Sequence, residues 1–499
     1  MMTKAVRIPP LYIFLLLLAV LLGIAALRPI DHDEGQYVAA VALMRLGLPY
    51  RDFAYLQTPL QPLLFAPLAW LCEGWLFLTL RAVNALCAAG AAALLYRAVC
   101  SAGGSARSAG IAAMALVTSH ACLFAATVAR NDALPLLLHM AGLALLIDAL
   151  GTARRPQFFM LAGLLLGAAA SAKISYGLPA AAIGLFALLN MRRIGPMGVL
   201  LALAVGGVAG GLPTLILWAI APDAAWFGII DYSLKAPLEW QMLNERAYMV
   251  ETPLSALRLL RFLGQGSALL ALVVIGVSLL RRSGKSSMTT GLLDYVILAG
   301  LIAAWLPRPI YVQYLVPLLP ALFLRFGLLL DDLRWSRAAA IAALMLCMAA
   351  GMAETAIRIA PNIARVHSPI LSATYDAHAI GRSVRAAGIK GPIVSLAPER
   401  VVDSGISLDP RFAAGPFLYR THDLLTPAQQ AAFHVLNGAS VADGLTRHLP
   451  AVIVTGQESA PAPANPHGLD SLLVAWAVAH DYRILSLPSG EGALYLRQE

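Results

Sequence analysis

About eleven apolar runs, each close to the length that crosses a bilayer, constrain the fold more than any other feature of this sequence. A hydrocarbon core of about 30 Å requires about 20 mostly apolar residues in a helix, and fewer where flanking side chains reach the interface. The sequence therefore predicts a polytopic α-helical membrane protein. The predicted spans cover residues 11–28, 77–96, 108–125, 133–150, 158–172, 176–190, 197–220, 266–280, 292–306, 312–330 and 338–353.

The composition supports this prediction and excludes two other classes of protein. Hydrophobic residues make up 59% of the chain and charged residues 13%, whereas soluble domains are roughly half apolar and one-quarter charged. The net charge of +9 does not indicate nucleic-acid binding, because Lys and Arg form small groups between apolar runs. The five cysteines lie in or beside apolar runs without Cys or His ligand spacing, so neither a disulfide framework nor a zinc site is expected.

The basic residues fall in alternate connections between the predicted spans, which sets an orientation. Lys and Arg in short loops mark the cytoplasmic side of a membrane protein. We therefore expect a cytoplasmic N-terminus, and the loops at about 29–76 and 221–265, with everything after 354, on the opposite side. The basic residues that define the cytoplasmic side are Lys4, Arg7, Arg97, Arg107, Arg154, Arg155, Arg192, Arg193, those within 281–285, Arg334 and Arg337.

The chain is expected to consist of two domains. Residues 1–355 form the membrane module, which includes the outward loop 29–76. Residues 356–499 alternate strand-like runs ("GPIVSLA", "AVIVTG", "YRILSL", "ALYLRQ") with helical runs ("LTPAQQAAFHVL", "LLVAWAVAH"). This alternation predicts a C-terminal extracytoplasmic α/β domain.

The stretch "DHDEGQY" at 31–37 places three carboxylates directly after the first span. Acidic residues at a membrane are functional candidates, because an unused charge there is costly. The same residues also suit a helix start, with Asp31 and Glu34 spaced as a capping box. The following "GQYVAAVALMRLGLPY" predicts an amphipathic helix on the membrane surface. Both interpretations of the carboxylates remain open at this point.

Four motifs in order resemble the GT-C glycosyltransferases, in particular the bacterial relatives of the family 39 protein O-mannosyltransferases and the aminoarabinose transferase of lipid A. They cover roughly residues 10 to 350. The sequence departs from the family where "ISYG" rather than Gly follows Lys173, and where Gln313 replaces a common Arg. The motifs are "DHDEGQY" with "GLPYRDF" and "QTPLQP", then "LRAVNAL" with "ARNDALPLLLHMAGLALL", then "LLLGAAASAKISYGLPA", and finally "PIYVQYLVPLLPALFL".

The resemblance implies transfer of a sugar from a polyprenyl phosphate to an acceptor glycan, lipid or protein, with inversion, on the outer face of a bacterial inner membrane. It implies that Asp33 is the general base, with Glu34 beside it in the catalytic pair, and that membrane lipids surround the site. No cofactor is certain, and the paired carboxylates leave a divalent cation open. The substrate-binding candidates that it implies are Tyr37, Tyr50, Asp52, Arg81, Asp132, Lys173, Arg308, Tyr311 and Tyr314.

Among these candidates, Lys173 and Arg308 are the expected contacts of the donor's phosphate, because charge-assisted hydrogen bonds suit a phosphate group. Each candidate also has a structural alternative. Lys173 is also suited to snorkel to the interface and Arg308 to anchor a turn. Asp132 is also suited to cap the next helix or to pair with Arg130.

Two non-enzymatic functions compete with the transferase. A transporter or lipid flippase should carry polar residues within its spans near the midplane, but the acidic residues here cluster in the outward loops. A sensor or scaffold that binds a partner through its C-terminal domain would not need the loop carboxylates.

The predicted orientation can be tested with reporter fusions. A reporter that is active only outside the cytoplasm should be silent when fused after Arg193 and active when fused near Pro361. Opposite results at both sites would overturn the orientation and the outward-facing chemistry with it.

Overall fold

The computed structural model describes residues 10–151, 155–281, 287–332, 337–421 and 424–498. The basic residues Lys4, Arg7, Arg154 and Arg334, and positions 282–285, lie outside the described residues. The helices up to residue 364 are α1 (Pro10–Leu27), α2 (Glu34–Leu43), α3 (Leu60–Leu71), α4 (Leu76–Ser101), α5 (Ala106–Val117), α6 (His120–Thr127), α7 (Ala133–Gly151), α8 (Pro156–Ala172), α9 (Gly177–Leu189), α10 (Met191–Ile194), α11 (Met197–Ile220), α12 (Pro222–Trp226), α13 (Tyr232–Leu243), α14 (Thr252–Gly264), α15 (Ala268–Leu280), α16 (Met288–Trp305), α17 (Leu319–Leu329) and α18 (Arg337–Ala364).

A helix lies at each of the eleven predicted spans, which confirms a multi-pass helical membrane protein. In the described residues, six helices are long and apolar enough to cross a membrane, or up to eight if each bent pair is one span. The bent pairs are α5 with α6, at 67°, and α14 with α15, at 95°. The other three predicted spans lie at α1, α8 and α9, which are shorter apolar helices in the described residues.

The chain divides into two compact units. The first unit comprises residues 1–25, 82–213 and 252–361, and the second comprises 26–81, 214–251 and 362–499. The second unit thus unites the loop between α1 and α4, the segment after α11 and the C-terminal region. The predicted domain boundary between residues 355 and 356 stays a prediction.

In the first unit, α8 and α11 cross at two pairs of glycines spaced four residues apart. They belong to "GLLLG" at 163–167 and "GGVAG" at 206–210. A Cβ atom at Gly167 would overlap the backbone of Gly207, and one at Gly210 would overlap the backbone of Leu164. Small residues at this spacing let membrane helices approach closely.

In the second unit, the C-terminal region forms a four-stranded mixed sheet, and its strands lie at the four predicted strand-like runs. The strands are β1 (Ile393–Ser395), β2 (Val452–Thr455), β3 (Arg483–Ser486) and β4 (Ala493–Leu496), in the order β1-β2-β4-β3. β2 runs parallel to β1 and antiparallel to β4, with Val452 opposite Ile393 and Leu496. The helices of this region are α19 (Pro369–Ala386), α20 (Pro416–Tyr419), α21 (Pro427–Ala432), α22 (Val441–Arg447) and α23 (Ser471–Ala479).

Helix α2 exists as predicted, but it does not lie on a surface. Nine of its ten residues are buried, among them Tyr37, Val38 and Val41. It packs against α3 and against a short helix at Pro398–Arg400. The prediction of a surface amphipathic helix is therefore wrong, because "VAAVAL" is apolar on every side and such a helix is buried.

The glycine crossing predicts a difference between two neighbouring glycines of α11. Gly210→Ala should lower the free energy of unfolding by about 1–3 kcal/mol, because overpacking forces the two helices apart. Gly211→Ala is the matched control, since no atom lies within 4 Å of its added Cβ. Thermal unfolding of both variants in one detergent measures the difference, and equal melting temperatures would contradict the close crossing.

Candidate active site

The central contact of the loop between α1 and α4 is an ion pair between Glu34 and Arg81, both of whose side chains are fully buried. Arg81 donates from Nε to Glu34 Oε1 at 2.8 Å and from Nη2 to Oε2 at 2.6 Å. The rest of the guanidinium donates to the carbonyl oxygens of Arg28 at 3.0 Å and Pro29 at 3.2 Å. α4 therefore holds the turn that follows α1 through one side chain.

The turn itself confirms half of the predicted capping box. Glu34 Oε2 accepts a hydrogen bond from the backbone N–H of Asp31 at 2.8 Å, as the motif requires. The carboxylate of Asp31 instead accepts from the N–H of Asp33 at 3.2 Å. Asp33 stands at the N-cap position of α2 but makes no side-chain cap bond, and its side chain is 28% exposed. The two neighbouring carboxylates thus have different environments.

His32 links this turn to the C-terminal region, and sequence reasoning did not select it. Its Nε2 lies 3.0 Å from Glu458 Oε1, and its Nδ1 lies 3.7 Å from Asp33 Oδ1. Its ring meets the ring of Phe417 edge-on at 5.1 Å. Burial alone would lower the pKa of His32, but the carboxylates of Asp33 and Glu458 outweigh it and raise the pKa to about 10. His32 is therefore a cation at neutral pH.

A group of aromatic side chains and an arginine lies beyond His32 in the same unit. The guanidinium of Arg420 is 4.2 Å from the ring centroid of Trp240 and 4.9 Å from that of Phe417. Tyr232 donates to the carbonyl oxygen of Phe417 at 3.3 Å. Burial raises the pKa of Tyr232 to about 12, with Arg420 opposing the shift and the charge of Asp33 adding to it. The one sequence signal for these residues was the predicted outward side of their segments.

Tyr37, Tyr50 and Asp52 are the other predicted substrate-binding residues of this unit, and their substrate contact stays a prediction. Tyr37 and Tyr50 are buried. The hydroxyl of Tyr50 donates to the carbonyl of Gln57. Asp52 accepts from the N–H of Leu48 at 2.7 Å and pairs with the adjacent arginine. The described contacts of Tyr50 and Asp52 therefore stabilise the loop itself.

In the first unit, Asp132 is fully buried and holds two cations. Its Oδ1 contacts Lys173 Nζ, and its Oδ2 lies 3.4 Å from Arg130 Nε. Lys173 has an extended backbone at the break after α8, and Nζ lies 6.0 Å from the ring centroid of Tyr314. Lys173 is buried, so it does not snorkel, and the suggested pairing of Asp132 with Arg130 is present.

Arg308 and Tyr311 lie at the turn between α16 and the next helical segment. Arg308 donates to the carbonyl oxygens of Trp305 and, at 3.2 Å, Pro307, and its guanidinium stacks 4.2 Å from the Trp305 ring centroid. These contacts match the turn-anchoring alternative. Tyr311 is 38% exposed, and its ring centroid lies 6.0 Å from that of Tyr314.

The arrangement contains no group of three or more His, Cys, Asp or Glu that could hold a metal ion, as far as the described residues extend. Within the second unit, Asp33, Glu34 and Arg81 come together. Within the first unit, Asp132, Lys173, Tyr311 and Tyr314 do so.

Comparison with solved structures identifies the fold. No protein-family model and no curated protein matches the chain. ArnT from Cupriavidus metallidurans in the apo state is 14% identical over 97% of each chain, with a TM-score of 0.54. The same enzyme bound to undecaprenyl phosphate gives a TM-score of 0.50, with the same identity and coverage. The Archaeoglobus fulgidus oligosaccharyltransferase AglB, in complex with an inhibitory peptide and a dolichol-phosphate, is 12% identical over 98% of this chain and 74% of its own, also at 0.50. The chain therefore has the fold of the GT-C membrane glycosyltransferases.

Breaking the buried Glu34–Arg81 pair should lower the free energy of unfolding strongly, and removing the second charge should restore part of the loss. Arg81→Gln should lower the free energy of unfolding by about 3–5 kcal/mol, because the Glu34 carboxylate is left buried without its partner. The double variant Glu34→Gln with Arg81→Gln should regain part of this loss, since no charge remains buried.

The matched control is Arg358→Gln, which breaks an exposed pair with Glu354 and should cost at most about 1 kcal/mol. Thermal unfolding in detergent compares the three variants. A loss for Arg81→Gln no larger than that of the control would contradict the structural role of the pair.

Proposed function

We propose that this protein is an inverting membrane glycosyltransferase that moves a sugar from a polyprenyl-phosphate donor to an acceptor on the outer face of a bacterial inner membrane. The observation that carries the proposal is the division of roles between two adjacent carboxylates. Glu34 is fully buried and paired with Arg81, whereas the Asp33 side chain is 28% exposed and lies 3.7 Å from His32 Nδ1. A rigid pair thus presents a neighbouring carboxylate that is accessible to a substrate.

Asp33 is the general base in this proposal. An acceptor hydroxyl is a weak nucleophile, so a carboxylate must take its proton as its oxygen bonds to the anomeric carbon. The bond between the anomeric carbon and the phosphate oxygen breaks, and the polyprenyl phosphate leaves with the bonding electrons. Attack on the face of the anomeric carbon opposite to the departing phosphate inverts the anomeric configuration.

Glu34 and Arg81 act in this scheme as positioning residues. Their hydrogen bonds to Asp31, Arg28, Pro29 and each other hold the turn at residues 28–34. The resemblance implies that Arg81 binds substrate. In our proposal, Arg81 instead orients Asp33.

Lys173 is the first proposed contact of the donor's phosphate, as the resemblance implies. Asp132 fixes the ammonium group of Lys173, which preorganises a positive charge beside the ring of Tyr314. Arg308 and the hydroxyl groups of Tyr311 and Tyr314 are the further proposed phosphate contacts. Two of the structures that share the fold contain undecaprenyl phosphate and a dolichol-phosphate, which supports a lipid-phosphate donor.

The proposal is tested by Asp33→Asn. Asparagine caps a helix nearly as well as aspartate, but it cannot accept a proton at neutral pH. The turnover number should therefore fall by about 10²-fold or more, the scale that general-base catalysis supplies, with an unchanged melting temperature. Transfer from a labelled lipid-phosphate sugar by purified protein is the measurement.

Asp31→Asn is the matched control, because its side-chain oxygen can still accept from the N–H of Asp33. Asp31→Asn should lower the turnover number only slightly. Near-normal turnover of Asp33→Asn would remove Asp33 as the base and leave the turn as a helix cap.

A further inference from the structure

A short segment of the C-terminal region, residues 398–404, contacts the first turn of α2. Glu399 lies in the short helix Pro398–Arg400, and its side chain is buried. A Cβ atom at Gly35 would lie 2.5 Å from Glu399 Oε2 and 3.1 Å from Pro398 Cδ. The carboxyl group of Glu399 therefore rests on the backbone of α2, two residues after Asp33.

The same segment also holds the beginning of α4. Asp403 Oδ1 accepts a hydrogen bond from the N–H of Leu76, the first residue of α4, at 2.7 Å. Thr374 donates to the other carboxylate oxygen at 3.1 Å. Because α4 carries Arg81, residues 398–404 contact the elements on both sides of the Glu34–Arg81 pair.

The charged groups that face Glu399 are Glu34 and His32 of the first loop and its neighbour Arg400. Burial raises the pKa of Glu399 from 4.5 to about 7, with Arg400 and His32 opposing the shift and Glu34 adding to it. The folded state therefore favours the protonated form. Its contribution to stability is full below about pH 4.5 and is lost as the pH rises through about 7.

We propose that Glu399 is a positioning residue for Asp33: its carboxyl group, seated on Gly35, fixes the direction in which the first turn of α2 presents the base. The inference rests on the proposed function, in which Asp33 takes the acceptor's proton. It gives the C-terminal region a part in catalysis that its sequence does not indicate.

The first test compares Glu399→Ala with Glu399→Gln in the full-length protein. Glu399→Ala should lower the turnover number roughly tenfold with the donor KM nearly unchanged, because small misplacements of a catalytic group are costly. Glu399→Gln has the shape of the protonated side chain and should restore turnover to near the wild-type value. A purely stabilising role would lower the melting temperature and the active fraction, and the turnover number per active enzyme would stay at the wild-type value.

The pH profile gives a second readout. Wild-type turnover should fall as the pH rises above about 7, where Glu399 ionises beside Glu34. Glu399→Gln should lack this decline. If Glu399→Ala does not fold, this comparison decides, and a decline that persists in Glu399→Gln would overturn the proposal.

The contact can also be tested from the other side. Gly35→Ala should displace Glu399 and lower turnover, and adding Glu399→Ala should lower it no further than Glu399→Ala alone. Gly23→Ala, whose added Cβ meets no atom within 4 Å, is the matched control. Additive losses in the double variant would show that the two positions act independently and would overturn the contact's role.

Hydrogen exchange of the amides of residues 31–37 separates this inference from the proposed function, because it needs no activity. Exchange should be faster in Glu399→Ala and unchanged in Glu399→Gln. If Asp33→Asn keeps its turnover while Glu399→Ala speeds exchange, the base assignment fails and the contact stands. If Glu399→Ala has the kcat, the pH profile and the exchange rates of the wild-type protein, the inference is overturned.

Discussion

The buried ion pair between Glu34 and Arg81 is the interaction on which the rest of the loop between α1 and α4 depends. Removing two charges from water costs several kcal/mol for each ion. The cost is offset here by a bidentate contact and by two carbonyl acceptors that complete the guanidinium. Because one partner begins α2 and the other belongs to α4, the pair fixes the turn in one position. This turn contains Asp33, whose side chain is partly exposed.

The sequence predicted the parts of the fold that depend on local pattern. Apolar runs located the helices, and alternating runs in the C-terminal region located all four strands. The spacing of Asp31 and Glu34 predicted half of the capping contacts. The burial of α2 was missed because small apolar residues cover all its faces, and periodicity then favours no side. The bends between α5 and α6 and between α14 and α15 were missed because hydropathy does not depend on helix direction.

The contacts that organise the candidate site join residues far apart in the chain, so no local pattern predicted them. Arg81 was a candidate for substrate binding, but its partner Glu34 lies 47 residues earlier. Lys173 and Asp132 were both candidates and are 41 residues apart, but their pairing required the structure. Glu399 was not a candidate at all, since a single glutamate in a short helical turn has no distinguishing sequence signal. Tertiary packing assigns these roles.

In our proposal, the chain transfers a sugar from a lipid phosphate on the outer face of a membrane. Proteoliposomes of the wild-type protein, supplied with a panel of radiolabelled polyprenyl-phosphate sugars and a membrane extract as acceptor, test it most directly. We expect label from at least one donor to become attached to an acceptor outside the vesicle, with release of the polyprenyl phosphate. Movement of intact labelled donor across the membrane without any attachment would contradict it and would identify a transporter.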